Sequence, residues 1–327
     1  MKTVAIIGAG SWGVALGIHM NKMGNRVRIW SYNPQETAMI NEEHRCRFLP
    51  GVVVPDSIEC YSEFEPVVNG ADYIFHVTPS RSVRETLKKY KHLITDQPII
   101  LCSKGFEKET MMTLDEVVEE EVPKAKIGVL SGPTHAEEVS IGLPSALVIA
   151  SKNNRVLKEI QDLLMNDTLR VYTSVDVKGA ELGGALKNIV AFTAGIAYGL
   201  GLRDNSFAAL ITRGLAEITR LGVALGGMHD TFYGLTGLGD LIVTCLSEHS
   251  RNRRAGVLIG EGKSLQEVKE QIGMTIESLD NLEVTYELSQ IHGVDMPIIT
   301  KAYQVIYEGL SCEEALNQLM NRTGKHE

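Results

Sequence analysis

The sequence lacks the features of several protein classes. Its five cysteines include no C-x-x-C pair, which disfavours a disulfide framework or a zinc site and favours reduced thiols in a cytosolic protein. A formal net charge of -9 argues against a general nucleic-acid or anionic-membrane binder. The chain opens MKT and continues directly into VAIIGAG, so we expect no signal peptide and a cytoplasmic location.

Long hydrophobic runs are also scarce, and only one segment has the length of a membrane span. This segment, LGGALKNIVAFTAGIAYGLGL, begins at Leu182 and contains Lys187. A lysine inside a bilayer is costly, and the glycines of the segment lower its hydrophobicity further. We therefore predict a buried helix of a soluble domain and no membrane span.

The part of the chain up to Ser174 alternates β-rich runs with helical stretches, which is the pattern of a doubly wound parallel sheet. Strands are predicted at TVAIIG, RVRIW, DYIFHV, PIILCS, KIGVLSG, SALVIA and LRVYTS. These runs are rich in Val and Ile and hardly alternate, which is typical of strands covered on both faces. Helical periodicity dominates afterwards, so we predict an α/β domain over residues 1–180 and an all-α domain over residues 181–327.

A glycine-rich segment, GAGSWG, follows the first predicted strand and opens a helix predicted from Ser11 to Met23. Gly8 permits a tight turn, Gly10 lets a pyrophosphate approach the backbone, and Gly13 allows the helix to pack closely on the strand. The G-x-G-x-x-G pattern is weak by itself, but here it lies between a strand and a helix. We therefore predict a Rossmann-like dinucleotide site in the first domain.

The end of the second predicted strand leaves the choice of dinucleotide open. A site for NAD usually has Asp or Glu about 20 residues after the glycines, where it binds the ribose 2′-hydroxyl. This chain has WSYN there, and the first acid is Glu36. The missing acid removes a repulsion against the 2′-phosphate of NADP, but no arginine stands at the same place to bind that phosphate.

Polar residues follow three later strands, at the edge where ligands of open α/β sheets bind. These segments are Thr78-Pro79-Ser80, Ser103-Lys104-Gly105 and Gly132-Pro133-Thr134-His135-Ala136-Glu137. We interpret Lys104 as a cation that faces the ligand, with a solvated surface lysine as the alternative. Thr134 and Glu137 have capping-box spacing, so a helix is predicted to start at Thr134, with or without a ligand. His135 is interpreted as a structural residue rather than a catalytic one.

Lys187 is the residue that the apolar segment does not explain. Gly183, Ala191 and Ala194 share its helical face, so a ligand can come close to its amine. The alternative is a lysine whose side chain reaches along the helix to water. Burial and a second nearby cation each lower the pKa of a lysine, which makes such a residue a general base near neutral pH. We expect Lys187 to be an acid/base group, and Lys104 is the candidate for the second cation.

Several longer strings resemble one protein family. GAGSWG, SKGFE, SGPTHAEEV, ELGGALKNIVAFTAGI, ALITRGLAEI, GLTGLGDLIVTC and HSRNRRAG occur in the order found in bacterial NAD(P)-dependent glycerol-3-phosphate dehydrogenase. The resemblance extends from Val4 to the helices after Glu277. It implies an enzyme that uses NADP or NAD to interconvert dihydroxyacetone phosphate and sn-glycerol 3-phosphate, and that supplies the latter for glycerophospholipid synthesis.

The resemblance also implies a role for individual residues. It assigns Lys187 as the proton acceptor for the substrate hydroxyl. The implied substrate contacts are Lys104, Gly132, Thr134, Lys187, Asp240, Ser250, Arg251 and Asn252. The implied cofactor contacts are Gly8, Gly10, Ser11, Trp12, Gly13, Tyr32, Asn33, Lys104, Ala136, Arg251, Thr275 and Glu277. No metal is expected, and a homodimer is one option for an oligomeric state that the sequence does not determine.

Two departures and two alternatives remain. Asn33 stands where many family members have arginine, and Thr275 stands where a small aliphatic residue is common, so we expect weaker selectivity for NADP.

One alternative to this function is a hydroxyacid dehydrogenase of the same two-domain architecture, which needs no phosphate-binding loop like the one at Arg251 and Asn252. The other is a non-catalytic dinucleotide-binding sensor, which needs no buried lysine. Asp240 is expected on a glycine-rich turn, where it accepts a hydrogen bond from a substrate hydroxyl.

Overall fold

A computed structural model describes residues 1–324 of the chain. The chain divides into two compact units, one formed by Met1–Glu107 with Met112–Glu181 and the other by Lys108–Met111 with Leu182–Glu327. The first unit contains a mixed α/β fold, and the second unit is helical.

The first unit is built on a twisted sheet with helices on both faces. Its strands are β1 (Thr3–Ile7), β2 (Arg26–Trp30), β3 (Arg45–Cys46), β4 (Leu49–Val53), β5 (Ile58–Tyr61), β6 (Tyr73–His76), β7 (Ile99–Leu101), β8 (Ile127–Ser131), β9 (Ser145–Ala150) and β10 (Leu169–Ser174). Its helices are α1 (Ser11–Lys22), α2 (Pro34–Glu43), α3 (Glu65–Val68), α4 (Val83–Tyr90), α5 (Leu114–Glu121), α6 (Ala136–Ile141) and α7 (Asn154–Leu164). The strand order of the large sheet is β10-β9-β8-β7-β6-β1-β2-β5, while β3 and β4 form a separate hairpin.

The burial pattern of β1 explains why its last four residues, Val4 to Ile7, are all apolar. Val4 and Ile6 pack with residues of α1 and α7 on one face of the sheet, and Ala5 and Ile7 pack with residues of α4 and α5 on the other. Successive side chains of a strand point to opposite faces, so a strand covered on both faces has no polar positions. The α/β fold predicted from the sequence is confirmed in this respect.

The prediction of a doubly wound parallel sheet is wrong at one pairing, so β9 and β10 run opposite to the other strands of the large sheet. β9 runs antiparallel to β8, while the other neighbouring strands of the large sheet are parallel. The connection between β8 and β9 contains only the six-residue helix α6. Two parallel strands need a crossover that returns to the opposite end of the sheet, usually along a full helix. Here the chain turns back at the same end.

The second unit consists of helices packed around one long central helix. That helix, α8 (Val177–Gly199), starts in the first unit and is buried along most of its length. The others are α9 (Asp204–Ala224), α10 (His229–Phe232), α11 (Asp240–Leu246), α12 (Arg251–Gly260), α13 (Leu265–Ile272), α14 (Glu277–Ile291), α15 (Pro297–Tyr307) and α16 (Cys312–Met320), with a π-helical turn at Leu235–Gly239. The expected buried helix around Lys187 is confirmed. Among residues 1–324, no helix combines the length and hydropathy that crossing a membrane requires.

Candidate active site

The glycine turn after β1 has the geometry that a dinucleotide requires. Gly8 has a φ of 127°, which side chains other than glycine rarely adopt. A Cβ on Gly13 would clash with the carbonyl oxygen of Gly8, so helix α1 packs directly against the turn. Gly10 is the N-cap of α1, and no atom lies within 4 Å of the place that its Cβ would occupy. The space beside the N-cap of α1 is therefore open, and the N–H groups of the first turn, which have no partner within the helix, suit a pyrophosphate.

The segment after β2 is organised by hydrogen bonds within itself. Ser31 Oγ donates to Glu36 Oε2 at 2.8 Å, and both residues are buried. Asn33 is the N-cap of α2, where its side-chain oxygen accepts from the backbone N–H of Gln35 at 3.0 Å. Tyr32 is 76% exposed. Position 33 thus carries a helix cap and no positive charge.

The loops after β7 and β8 meet at one carbonyl group. Lys104 Nζ donates to the carbonyl oxygen of Gly132 at 3.3 Å, and the backbone N–H of Thr134 donates to the same oxygen at 2.9 Å. The prediction that Thr134 caps a helix is wrong, because His135 is the N-cap and α6 begins at Ala136. The hydroxyl of Thr134 bends back towards Gly132, at 3.4 Å from its carbonyl oxygen, instead of reaching the helix.

A buried ion pair lies at the centre of the second unit. Lys187 is 6% exposed, and its Nζ donates to Asp240 Oδ1 and to Thr244 Oγ1, both at 2.6 Å. Asp240 directly follows the glycine-rich turn Leu235–Gly239 as the first residue of α11, and it is 2% exposed. Thr244 lies four residues later on the same helical face and was not among the predicted site residues. Its spacing from Asp240 was the available signal.

Gly183 explains how Asp240 comes so close to α8. A Cβ on Gly183 would lie 2.6 Å from the carbonyl oxygen of Thr236, so only glycine lets the turn Leu235–Gly239 lie against this helix. The turn continues directly into α11 and its first residue. Lys187 follows Gly183 by four residues and is therefore on the same face of α8. The small residues around the lysine admit another part of the backbone, which carries the carboxylate.

The charges of this cluster favour an ammonium group. A carboxylate at hydrogen-bond distance stabilises the protonated form of a lysine, which opposes the effect of burial. Within the second unit, Lys187 is paired with an acid. The second cation expected from the sequence, Lys104, stays a prediction. Burial raises the pKa of the nearby Cys245 to about 12, so this thiol stays protonated and is no nucleophile. The ammonium is a hydrogen-bond donor suited to a substrate oxygen. The Thr244 hydroxyl accepts from the ammonium and donates to the backbone carbonyl of Asp240.

The starts of α12 and α14 are joined to each other and to α8. Asn188 Nδ2 donates to Glu277 Oε2 at 2.9 Å, and Asn252 Oδ1 accepts from the backbone N–H of Ser278 at 2.9 Å. Ser250 is the N-cap of α12, where its hydroxyl accepts from the N–H of Arg253. Two predicted substrate residues, Ser250 and Asn252, therefore also hold helix ends.

The remaining predicted residues of the second unit lie at the same helix starts. Arg251 is the first residue of α12 and is half-buried, and Thr275 lies two residues before α14. Glu277 is the first residue of α14. Residues 1–324 contain no group of three His, Cys, Asp or Glu side chains that would hold a metal ion.

Comparison with known proteins gives full-length matches. Models of the NAD-dependent glycerol-3-phosphate dehydrogenase N-terminus and C-terminus match residues 3–157 and 176–317. Glycerol-3-phosphate dehydrogenase (NAD(P)+) of Clostridium perfringens is 44% identical over 329 residues, which cover 100% of this chain and 99% of the relative. The same enzyme of Bacillus cereus is 46% identical over 333 residues, which cover 100% and 98%.

Solved structures give the same result. The crystal structure of glycerol-3-phosphate dehydrogenase from Coxiella burnetii superimposes with a TM-score of 0.95 at 38% identity, covering 98% of this chain and 99% of the other. A D-mandelate dehydrogenase, at 15% identity and a TM-score of 0.67, shares the fold alone. The resemblance, the oxidoreductase class and the use of NAD or NADP are confirmed. The chain belongs to the NAD-dependent glycerol-3-phosphate dehydrogenase family.

Proposed function

We propose that the protein interconverts dihydroxyacetone phosphate and sn-glycerol 3-phosphate, with Lys187 as the proton donor and acceptor. The observation that carries this proposal is the buried ammonium of Lys187, which hydrogen-bonds to Asp240 and Thr244 at 2.6 Å in a largely apolar stretch of α8. Burying a charge costs free energy unless the charge is paired, and buried charged groups are concentrated at active sites. The relatives of Clostridium perfringens and Bacillus cereus are named as glycerol-3-phosphate dehydrogenases, which supports the substrate pair.

The chemistry requires one proton for each hydride. When bound, the nicotinamide supplies the hydride to the ketone carbon or takes it back from the alcohol. Lys187 donates its proton to the carbonyl oxygen as negative charge develops there, and it accepts the hydroxyl proton in the reverse direction. Asp240 keeps the lysine charged before reduction and stabilises the ammonium that forms during oxidation. Thr244 accepts a hydrogen bond from the same amine and limits its orientation.

The phosphate of the substrate is proposed to lie at the start of α12. Arg251 offers a guanidinium group that matches a phosphate dianion, and the N-terminus of α12 favours negative charge. The side-chain oxygen of Asn252 accepts from Ser278, so its amide NH2 group is the part that would donate to phosphate. We further propose Ser250 here, and Lys104, Gly132 and Thr134 of the first unit as substrate contacts.

The dinucleotide is proposed to lie on the glycine turn after β1. The proposed contacts are Gly8, Gly10, Ser11, Trp12, Gly13, Tyr32, Asn33, Lys104, Ala136, Arg251, Thr275 and Glu277. The N–H groups at the start of α1 support binding of the pyrophosphate. Supply of glycerol 3-phosphate to phospholipid synthesis, a cytoplasmic location and a homodimer stay predictions.

The test is to follow the near-ultraviolet absorbance of reduced nicotinamide with dihydroxyacetone phosphate as substrate. We expect oxidation of NADH or NADPH and formation of one sn-glycerol 3-phosphate for each cofactor oxidised. A 2-oxo acid replaces the phosphate ester in a parallel reaction, and faster turnover with it would support the hydroxyacid dehydrogenase instead. Cofactor binding with no turnover of either substrate would support the sensor.

A further inference from the structure

Thr78 is a polar residue at the dinucleotide edge of the sheet to which no role has been given above. It follows β6, which is the neighbour of β1, whereas the chain leaves β1 for β2 on the opposite side. This reversal of strand order is the switch point at which open α/β sheets bind their ligands. A Cβ on Gly8 would lie 2.9 Å from the carbonyl oxygen of Val77, so the segment of Thr78 lies against the glycine turn.

Thr78 is the end of a buried chain of hydrogen bonds. Tyr90 OH lies 2.8 Å from His76 Nδ1, and His76 Nε2 lies 2.8 Å from Thr78 Oγ1. His76 and Tyr90 are fully buried, and Thr78 is 8% exposed. The loop is also fixed by Ser103, whose hydroxyl donates to the carbonyl oxygen of Thr78. A flexible surface loop would need none of these bonds.

The donor and the acceptor of each hydrogen bond in this series follow from the free-energy cost of leaving a buried donor without an acceptor. Burial lowers the pKa of His76 to about 3, so the ring is neutral and has one donor and one acceptor nitrogen. In residues 1–324 the Tyr90 hydroxyl has the His76 ring as its hydrogen-bond partner. Tyr90 therefore donates to Nδ1, because a buried O–H without an acceptor is costly. Nε2–H then donates to Thr78 Oγ1, which leaves the hydroxyl hydrogen of Thr78 for another acceptor.

We propose that the Thr78 hydroxyl donates a hydrogen bond to an oxygen of the bound dinucleotide. His76 is a positioning residue, because its Nε2–H occupies a lone pair of Thr78 Oγ1 and turns the hydroxyl hydrogen away from the protein. Tyr90 selects the ring tautomer that makes this possible. The acceptors that NAD and NADP offer at the switch point are pyrophosphate and ribose oxygens. The inference rests on the cofactor part of the proposed function and is independent of the role of Lys187.

The first test replaces the donor without changing the shape of the side chain. Thr78→Val should raise the Kd of NADH and NADPH about 10-fold, or about 1.4 kcal/mol, in titrations followed by nicotinamide fluorescence. The kcat at saturating cofactor should change less than about twofold, because uniform binding is lost and not transition-state binding. Thr86→Val is the matched control, since Thr86 is 7% exposed and lies on α4. Wild-type Kd values for Thr78→Val would overturn the proposal.

The second test separates positioning from a merely structural role. His76→Phe should weaken dinucleotide binding as much as Thr78→Val, and the double variant should be no weaker than either, because both remove the same bond. His76→Gln restores an N–H near the position of Nε2 and should recover most of the affinity. Additive losses, or no recovery with glutamine, would remove His76 from the proposal. If His76→Phe does not fold, Tyr90→Phe replaces it in the test, because without the tyrosine hydroxyl either ring nitrogen of His76 can carry the hydrogen. An unchanged dinucleotide Kd in Tyr90→Phe would also remove His76 from the proposal.

The Kd values that decide both tests are measured without dihydroxyacetone phosphate. A protein that fails to reduce this substrate can still show the Thr78 effect, and an active enzyme can still lack it. Failure of this inference is therefore distinguishable from failure of the proposed function.

Discussion

The two units hold their functional groups in different ways. In the first unit, the dinucleotide turn consists of backbone N–H groups and glycines, and the residues that build it are neighbours in the chain. In the second unit, the central group is a buried side-chain ion pair whose members, Lys187 and Asp240, are 53 residues apart. A backbone site depends on local conformation, whereas this buried ion pair depends on the packing of α8 against α11. The comparison predicts that single substitutions have their largest effects in the second unit.

The largest expected effect is that of Lys187→Met, which keeps the bulk of the side chain and removes its charge. We expect kcat to fall by about 10²–10⁴-fold, because the proton donor is lost, with cofactor binding nearly intact. Steady-state rates and fluorescence titrations with NADH measure the two quantities. A folded Lys187→Met protein with wild-type kcat would remove the lysine from the mechanism. It would also contradict the expectation that single substitutions have their largest effects in the second unit.

Loss of the ammonium also leaves the Asp240 carboxylate buried beside methionine. We expect this to lower the free energy of unfolding by about 3–5 kcal/mol, as for other buried pairs that lose one partner. The double variant Lys187→Met with Asp240→Asn is the matched control, since it removes the remaining charge. It should be more stable than the single variant and no more active. Equal stability of the two would mean that the carboxylate is well solvated.

The second effect tests whether phosphate is bound by a side chain in the helical unit. Arg251→Ala should raise the KM for dihydroxyacetone phosphate by an amount equal to about 1.5–3 kcal/mol, because charge-assisted hydrogen bonds to the phosphate are lost. Arg254→Ala is the control, since Arg254 is exposed on the same helix α12. Arg251 is also a proposed cofactor contact, so a smaller rise in the Kd of NADH is expected. Equal KM values for dihydroxyacetone phosphate in Arg251→Ala and Arg254→Ala would contradict the assignment of Arg251 to the phosphate.

Glu217 sharpens the comparison, because it is a buried acid of the second unit that is held by backbone groups. Its carboxylate accepts from the N–H groups of Ile298 and Ile299 at the start of α15. Burial raises its pKa from 4.5 to about 7. A raised carboxyl pKa gives stability that is present below the unfolded value and is lost as the pH rises through the folded value.

The free energy of unfolding should therefore fall with rising pH in this window. Between about pH 5 and about pH 7.5 we expect the wild-type protein to lose roughly 2 kcal/mol relative to Glu217→Gln, which has no group to titrate. Urea unfolding of both proteins at several pH values measures the difference. Parallel curves for the two proteins would show that the backbone N–H groups fully compensate the buried charge.

The sequence predicts the first unit better than the second for the same physical reason. Strands covered on both faces are continuous apolar runs, so the main strands and the glycine turn were identified from neighbouring residues alone. The short strands β3, β4 and β5 were missed, because they contain two to five residues each and are partly exposed. The antiparallel direction of β9 was also missed, since an apolar run has no direction.

In the second unit, the sequence pointed to Lys187 but not to what surrounds it. A single charge in an apolar helix is visible in the sequence, whereas its partners depend on how distant helices pack. Asp240 was assigned by family resemblance to the substrate, and its bond to Lys187 was not foreseen. Thr244 was not found at all, although it lies one turn from Asp240. Pairs separated by more than fifty residues need the structure or a family pattern.

The smallest expected effect concerns the cofactor, where a side chain would be added to a site built from backbone. Because position 33 has neither an acid nor an arginine, we expect the wild-type enzyme to use both NADH and NADPH. The preference for NADPH in kcat/KM should be less than about 1000-fold, or about 4 kcal/mol. Asn33→Arg should shift the ratio of kcat/KM towards NADPH by about 10-fold, or about 1.4 kcal/mol, through a bond to the 2′-phosphate. The substitution removes the N-cap of α2, which costs about 1 kcal/mol of stability, so Asn33→Ala is the control for the lost cap. If Asn33→Arg and Asn33→Ala show the same ratio of kcat/KM for NADPH and NADH, other residues distinguish the two cofactors. The end of β2 is then a structural turn only.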